Sequence, residues 1–360
     1  MRQTIFQLSY IGFLLLLGVS CQAQAVSRCR PSQPLPAKPQ PGIVGLSLSS
    51  DGKTLVSAGA DGNIRFWNVA KGQIERTLTG HTNALYKAVY SPNEKLIASS
   101  SRDTTVRIWD VESGRELHKL NGYKCSVKSV AFSPNGKTLA SVGNDGMLKI
   151  WDVKTGKELK SLVHSDSPDI DISIYSVAFS EDGKRIYAGN GDGTISEWDP
   201  ATGKETKTWK AHSELVFTLT FSPDYRRLAS GGYAPIVKLW DTATWREIRT
   251  FEEKKTEGLY EQMKPVVFSP NGKLIAASVA GFNEKLRQYV YIRTYIWNVE
   301  TGEKLFTLEG HKFDVDAIVF TPDNSFLVTG GVDGNIKFWD LKTGQEARTF
   351  TMPRVEKAND

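Results

Sequence analysis

From Gly42 onward, short stretches of alternating apolar and polar residues recur, separated by turn residues. Val106 and Ile108 flank Arg107, Leu148 and Ile150 flank Lys149, Val237 and Leu239 flank Lys238, and Ile336 and Phe338 flank Lys337. A period of two is that of a β-strand whose alternate side chains leave opposite faces. The apolar pairs are therefore expected to pack between neighbouring sheets, with the cations pointing the other way. Glu197 stands where an apolar residue is expected, so it must find a partner or leave its segment locally weak.

One unit shows the order of elements. Residues 126–134 read as a first strand, closed by the turn Ser133-Pro134. Thr138 to Gly143 follow as a second strand, and Asn144-Asp145-Gly146 makes a tight hairpin turn. Residues 148–151 form a third strand. Lys154-Thr155-Gly156 turns again, with glycine able to adopt positive φ. Residues 158–162 complete the unit as an outer strand. No helical period interrupts, so the predicted class is all-β.

The same unit recurs. Trp67-Asn68, Trp109-Asp110, Trp151-Asp152, Trp198-Asp199, Trp240-Asp241, Trp297-Asn298 and Trp339-Asp340 mark it, with tryptophans 42, 42, 47, 42, 57 and 42 residues apart. Spacing and residue types together resemble the WD-repeat family. The resemblance implies a seven-bladed β-propeller of four-stranded antiparallel blades over residues 42–352, with a tail at 353–360. The repeat begins on an inner strand and ends on an outer one, residues 345–352. No strand is left for exchange, so the first and last blades are expected to meet by side-chain packing.

The repeats change what the length means. A chain of 360 residues would ordinarily divide into two or three domains, but a repeat array grows without enlarging one core. Hydrophobic residues at 40% and charged residues at 24% fit an ordered, soluble domain. The net charge of +5 comes from 45 basic and 40 acidic residues, interspersed without a basic run, which disfavours a nucleic-acid partner. A monomer is expected.

Ser, His and Asp recur together at His81, Ser99, Asp103 and Trp109, and again at His311, Thr329, Asp333 and Trp339. The trio invites a catalytic-triad reading. Two copies on different blades cannot share one active site, however. The family resemblance implies a buried hydrogen-bonded network tying the strands of a blade together. Other blades keep only part of the set. Tyr123 replaces the histidine in the third, Ala188 stands beside His164 and Asp192 in the fourth, and Ala234 replaces the aspartate beside His212 and Ser230 in the fifth. The first and sixth have no matching histidine. These blades are expected to rely more on apolar packing.

The first forty residues read differently. Arg2, the apolar run 11–19 and the small residues after it form the three-part pattern of an export signal over residues 1–25. Leu17-Gly18-Val19-Ser20-Cys21 resembles a bacterial lipobox, which would lipidate Cys21. Ala23-Gln24-Ala25 fits ordinary signal cleavage, and an uncleaved anchor is the third option. Five prolines within residues 31–41 make 26–41 a semi-rigid linker. The expected location is periplasmic or outer-membrane-anchored, or alternatively secreted. Three cysteines are too few for a disulfide framework, although a Cys29–Cys125 bridge is possible in an oxidising compartment.

Function is expected in the loops of the top face, where the turns between second and third strands and the links between blades emerge. Residues 165–172 and 252–264 lengthen two links, and residues 281–293 enlarge the turn of the sixth blade. The family resemblance places partner contacts at the top of the inner strand and just before the turn aspartate. Carried onto this chain, these are Ala84, Tyr86 and Arg102; Ser126 and Lys128; Ser173 and Tyr175; Leu215, Phe217 and Tyr233; and Asp314 and Asp316. Tyr86, Arg102, Lys128, Tyr175, Leu215, Phe217 and Tyr233 are the candidate contacts for a protein or peptide partner, centred between blades four and five. Asp314 and Asp316 are expected to repel an acidic segment. Trp245, where other blades have glycine, is either an exposed anchor on the opposite face or a cover for the blade edge. The competing reading is an enzyme housed in a propeller. No nucleophile motif, phosphate-cradling loop or metal-spaced His/Cys cluster supports it, so no cofactor or metal is expected. The stretch Asp166, Asp169, Asp171 does not fit an EF-hand loop.

Overall fold

The computed structural model describes residues 42–164 and 171–353. The export segment with Cys21, the linker with Cys29, the acidic residues Asp166 and Asp169, and the tail from residue 354 lie outside the described residues. Seven four-stranded antiparallel sheets follow one another, each built from consecutive strands. The first blade runs through Ile43–Leu48, Thr54–Gly59, Ile64–Asn68 and Gln73–Leu78. The last runs through Val315–Phe320, Phe326–Gly331, Asn335–Asp340 and Glu346–Thr351.

Burial follows strand position. Second strands such as Leu96–Ser101 are buried almost throughout, because a neighbouring blade covers each face. Outer strands such as Glu116–Leu120 are mostly exposed and carry charge. No blade closes its own core. Val56, Ala58, Ile64 and Phe66 of blade one pack with Leu85, Ala88, Ile97 and Trp109 of blade two. Each seam removes apolar surface that a single sheet would leave wet, at about 25 cal/mol per Å².

Among the described residues the ring closes without strand exchange. Ile43, Leu55, Trp67 and Val69 of blade one pack with Val328, Ile336, Phe338 and Phe350 of blade seven. Arg348 reinforces the seam by donating to the Val69 carbonyl at 2.8 Å.

Third-strand cations do not simply turn to water. Arg107 pairs with Glu116, Lys149 with Glu158 at 2.9 Å, Lys238 with Glu247 at 2.8 Å, and Lys337 with Glu346 at 2.6 Å. Arg65 pairs with Asp61 and Arg293 with Glu309. Glu197 inverts the arrangement. It accepts from Tyr187 at 3.0 Å and Thr206 at 2.6 Å, and pairs with Arg185 at 3.2 Å.

Blade six departs from the sequence-based expectation. The enlarged turn at 281–293 is mostly extra strand. Leu274–Asn283 and Gln288–Asn298 pair as far as Asn283 with Gln288, leaving only 284–287 to turn. The preceding link is shorter than expected, because its last residues already belong to the inner strand Tyr260–Phe268.

Candidate functional site

The repeated His/Ser/Asp set lies inside the blades. His81 Nδ1 is 2.8 Å from Asp103, and its Nε2 is 2.8 Å from Ser99 Oγ; that hydroxyl oxygen accepts from Trp109 at 2.9 Å. In blade seven His311 stands 3.1 Å from Asp333 and 2.8 Å from Thr329, which accepts from Trp339 at 2.8 Å. Burial opposes the charge of Asp103, but His81, Thr105 and the Thr82 amide hold its carboxyl well below the usual range. Burial pushes the His81 pKa down despite that carboxylate. Both histidine side chains are buried and bonded on both ring nitrogens, so they tie the strands of a blade together.

Blades without the full set use other polar groups rather than apolar packing alone. Tyr123 and Trp151 both reach Ser141 Oγ at 2.7 Å. In blade four Ser196 accepts from Trp198 at 2.9 Å and Asn190 at 3.1 Å, while His164 turns to Glu205 at 3.0 Å. In blade one Trp67 donates to Ser57 at 2.8 Å.

At the mouth of the central channel the sheets share one irregularity. Every inner strand slips register at the same place, and the residues passed over are Val44, Tyr86, Lys128, Tyr175, Phe217, Lys264 with Pro265, and Asp316. A β-bulge leaves one residue unpaired and re-aims its side chain. Seven bulges thus turn one residue per blade into the channel mouth. The side chains form a chain of contacts around the ring. Lys128 Nζ lies 3.9 Å from the Tyr86 ring centre and 6.0 Å from that of Tyr175. Tyr175 meets Phe217 edge-on at 5.3 Å, and Lys264 lies 5.7 Å from Phe217. Lys264 then pairs with Asp316 at 3.1 Å.

A second ring surrounds the first. The residue before the hairpin turn donates to the carbonyl at the top of the inner strand: Ala60 to Gly42, Arg102 to Ala84, Asn144 to Ser126, Gly191 to Ser173, Tyr233 to Leu215, and Val332 to Asp314. These bonds place Arg102, Tyr233 and Leu215 beside the bulged residues. All seven candidate contacts, Tyr86, Arg102, Lys128, Tyr175, Leu215, Phe217 and Tyr233, are half-buried at this face. Tyr233 packs edge-on against Tyr260 at 4.8 Å, joining blade five to blade six.

The electrostatics correct one expectation. Asp314 and Asp316 do not stand as free negative charges. Asp316 is paired with Lys264, and Asp314 accepts from Tyr289 at 2.9 Å. Burial, helped by Asp316 and opposed by Lys264, raises the Asp314 pKa. Tyr289 comes from the blade-six hairpin, so the hairpin is tied over blade seven. On the other side of the mouth, burial raises the Tyr86 phenol, but Lys128 and Arg102 more than offset it and hold the pKa below its usual value.

Two members of the ring, Val44 and Lys264, were missed from the sequence. Blade six lacks the Gly-His link that sets the alignment, and Pro265 obscures the strand. The doublet Lys264-Pro265 before Val266-Val267-Phe268 was the available signal.

On the opposite face Trp245 is a cover. Its ring packs against Tyr187 at 4.8 Å and Trp209 at 5.0 Å, on a backbone with φ of 57°. Cys125 is buried and disulfide-bonded.

The family model of the WD domain, G-beta repeat, matches residues 30–68, 72–110, 114–152, 156–199, 203–241 and 302–340, well over half of the chain. It passes over residues 242–301, which hold the first three strands of the sixth blade. Individual relatives align over shorter stretches. Periodic tryptophan protein 2 of Arabidopsis thaliana is 29% identical over 28% of this chain and 10% of its own length. Eukaryotic translation initiation factor 3 subunit I of Pyricularia oryzae is 30% identical over 26% of this chain and 24% of its own. Target of rapamycin complex subunit wat1 of Schizosaccharomyces pombe is 33% identical over 25% of this chain and 26% of its own. The chain thus spans about a quarter or less of these relatives. Seven propeller blades, the Trp-Asp marks and six matched repeats together show that this chain belongs to the WD40 repeat family.

Proposed function

We propose that this protein is a platform for other proteins in the cell envelope, taking its partner on the top face of the propeller. The ring of seven bulged residues carries this reading. It gathers Tyr86, Tyr175 and Phe217 with the cations Lys128 and Lys264 at one opening, with Tyr233 and Arg102 beside them. Aromatic and cationic side chains of this kind dominate binding energy at protein interfaces. WD40 proteins generally bind other proteins, and two of the relatives above are named as subunits. Capture experiments with envelope extract test the face. Phe217→Ala with Tyr233→Ala should weaken retention of a partner more than about tenfold, measured at a temperature where the variant is still fully folded. Retention that survives this double change and is lost on Trp245→Ala would move the site to the opposite face.

The envelope location rests on the export pattern, Cys21 and the proline-rich linker. The disulfide at Cys125 supports it, because disulfides persist in oxidising compartments. The chain has three cysteines. If Cys21 is lipidated or removed with the signal, Cys29 remains as the partner. Cys21→Ala should release the protein from the membrane fraction, and non-reducing peptide mapping should return a Cys29–Cys125 crosslink. Membrane retention of the Cys21→Ala protein with residues 2–18 still attached would favour an uncleaved anchor.

A further inference from the structure

Basic side chains on the inner and third strands follow one rule with two exceptions. Each third-strand cation has a carboxylate partner, and so does Lys264 on the inner strand of blade six. Lys87 and Lys128 do not. Among the described residues, Lys87 Nζ has only the Ser129 hydroxyl at 3.4 Å, and Lys128 has the faces of Tyr86 and Tyr175. Asp171, which reaches the Tyr175 that Lys128 faces, is already held by the Ser173 amide at 2.9 Å and the Tyr175 hydroxyl at 3.2 Å.

The exceptions are neighbours. Leu85 and Ala88 are buried while Tyr86 and Lys87 between them are half-buried, so the bulge turns both toward the channel. Lys87 reaches across to Ser129, the residue after Lys128 on the next blade. It follows the bulge, at the register position that Gly45 and Ser129 hold on the flanking blades. Burial holds its pKa down at about 8, with no opposing charge. An ammonium that loses water and gains no counter-charge is a cost to the folded state. The rest of the sheet avoids that cost consistently.

We propose that Lys87 and Lys128 form a carboxylate-binding subsite at the channel mouth, filled by an Asp or Glu side chain of a partner peptide. The subsite deepens the top-face reading and rests on it. Tyr86 fixes the Lys128 ammonium, so little freedom is lost on binding. Lys87 is half-buried beside Tyr86, which leaves part of its side chain open to an acid held by Lys128. Tyr175 and Phe217, packed edge to edge, offer an apolar rest for the residue beside the acid. Blades six and seven, where Lys264 is already neutralised, would not compete for the charge.

The test uses the full chain and fluorescein-labelled peptides followed by anisotropy: acetyl-Gly-Phe-Glu-Phe-Gly-amide, its Gln counterpart and its phosphoserine counterpart. The Glu peptide should bind about tenfold or more tightly than the Gln peptide. Lys87→Met and Lys128→Met should each shrink that ratio, and the double variant should abolish it. Lys128→Arg should retain it. Without peptide, Lys87→Met should melt at a higher temperature than the parent, because it removes an uncompensated charge; a lysine kept for structure would give the opposite shift. Equal binding of the Glu and Gln peptides, no Glu binding up to roughly 10 mM, or a ratio unchanged in both Met variants would overturn the subsite. Preference for the phosphoserine peptide would overturn the carboxylate assignment in favour of phosphate. The top-face reading fails separately, if Phe217→Ala with Tyr233→Ala leaves partner capture intact.

Discussion

Lys264 Nζ lies 3.1 Å from Asp316 Oδ1, joining the inner strands of blades six and seven at the channel mouth. Burial works against the lysine's charge, but Asp316 and Asp314 raise its pKa above the ordinary lysine value. Blade six is where the repeat pattern is weakest, and this contact crosses to a blade that keeps the full pattern. Asp316→Ala should cost about 1–3 kcal/mol, because it leaves a partly buried ammonium unpaired. Lys264→Met with Asp316→Leu should recover much of the loss. Urea unfolding of the three variants measures the coupling.

The buried histidines make stability depend on pH. Burial pushes the His212 pKa down to about 4 from 6.5, while its ring stays bonded to Ser230 at 2.8 Å. The unfolded chain takes up a proton near pH 6.5 that the folded chain refuses until about pH 4. Stability is therefore full above pH 6.5 and falls through that window, by about 3 kcal/mol at its acid end. His81 has the same sign. His164 has the opposite one: burial lowers its pKa, but Asp192 and Glu205 raise it further. His212→Gln should flatten the decline between pH 6.5 and 4 in equilibrium unfolding, and an unchanged slope would exclude His212 as its source.

Asp103→Ala and Asp333→Ala should each cost about 1–3 kcal/mol by leaving a buried histidine and main-chain amides unsatisfied. Asp103 accepts from the Thr82 amide at 3.0 Å, and Asp333 from the Lys312 amide at 2.9 Å. The two blades are separate networks, so the effects should add in the double variant. Loss of a chemical activity with stability intact would reopen the catalytic reading.

Trp245 occupies a turn position where blade three has Gly156 at φ 69°. Its indole is packed and its backbone is strained, and the two effects can be separated. Trp245→Ala should lose about 2–3 kcal/mol from the aromatic cluster. Trp245→Gly should lose about 1 kcal/mol less than Ala, because glycine accepts the left-handed backbone. Thermal unfolding of the pair reads the difference directly.

The sequence by itself determined the number of blades, the order of strands within each and the inner–outer alternation. These depend on periods of two and of about forty residues, which are local. Repetition of the His, Ser or Thr, Asp and Trp set at fixed offsets argued against one active site, while its place inside the blade was implied by the family resemblance. The channel mouth was legible only in part. Tyr86, Lys128, Tyr175 and Phe217 could be carried over by alignment, but nothing local marks the seven bulges that turn them inward. Lys264 and Asp316 pair across a blade boundary, so Asp316 read alone looked like a repelling charge. Glu197 looked like a defect until Tyr187, Thr206 and Arg185 closed around it. The blade-six insertion looked like a loop because no repeat pattern covers it, and only cross-strand pairing makes it a hairpin. The partners of Glu197 and the blade-six hairpin lie within one blade, where cross-strand pairing decides, whereas Lys264 and Asp316 belong to different blades. Packing of blade six against blade seven brings Lys264 and Asp316 together, and the low-dielectric seam between them makes their pairing necessary.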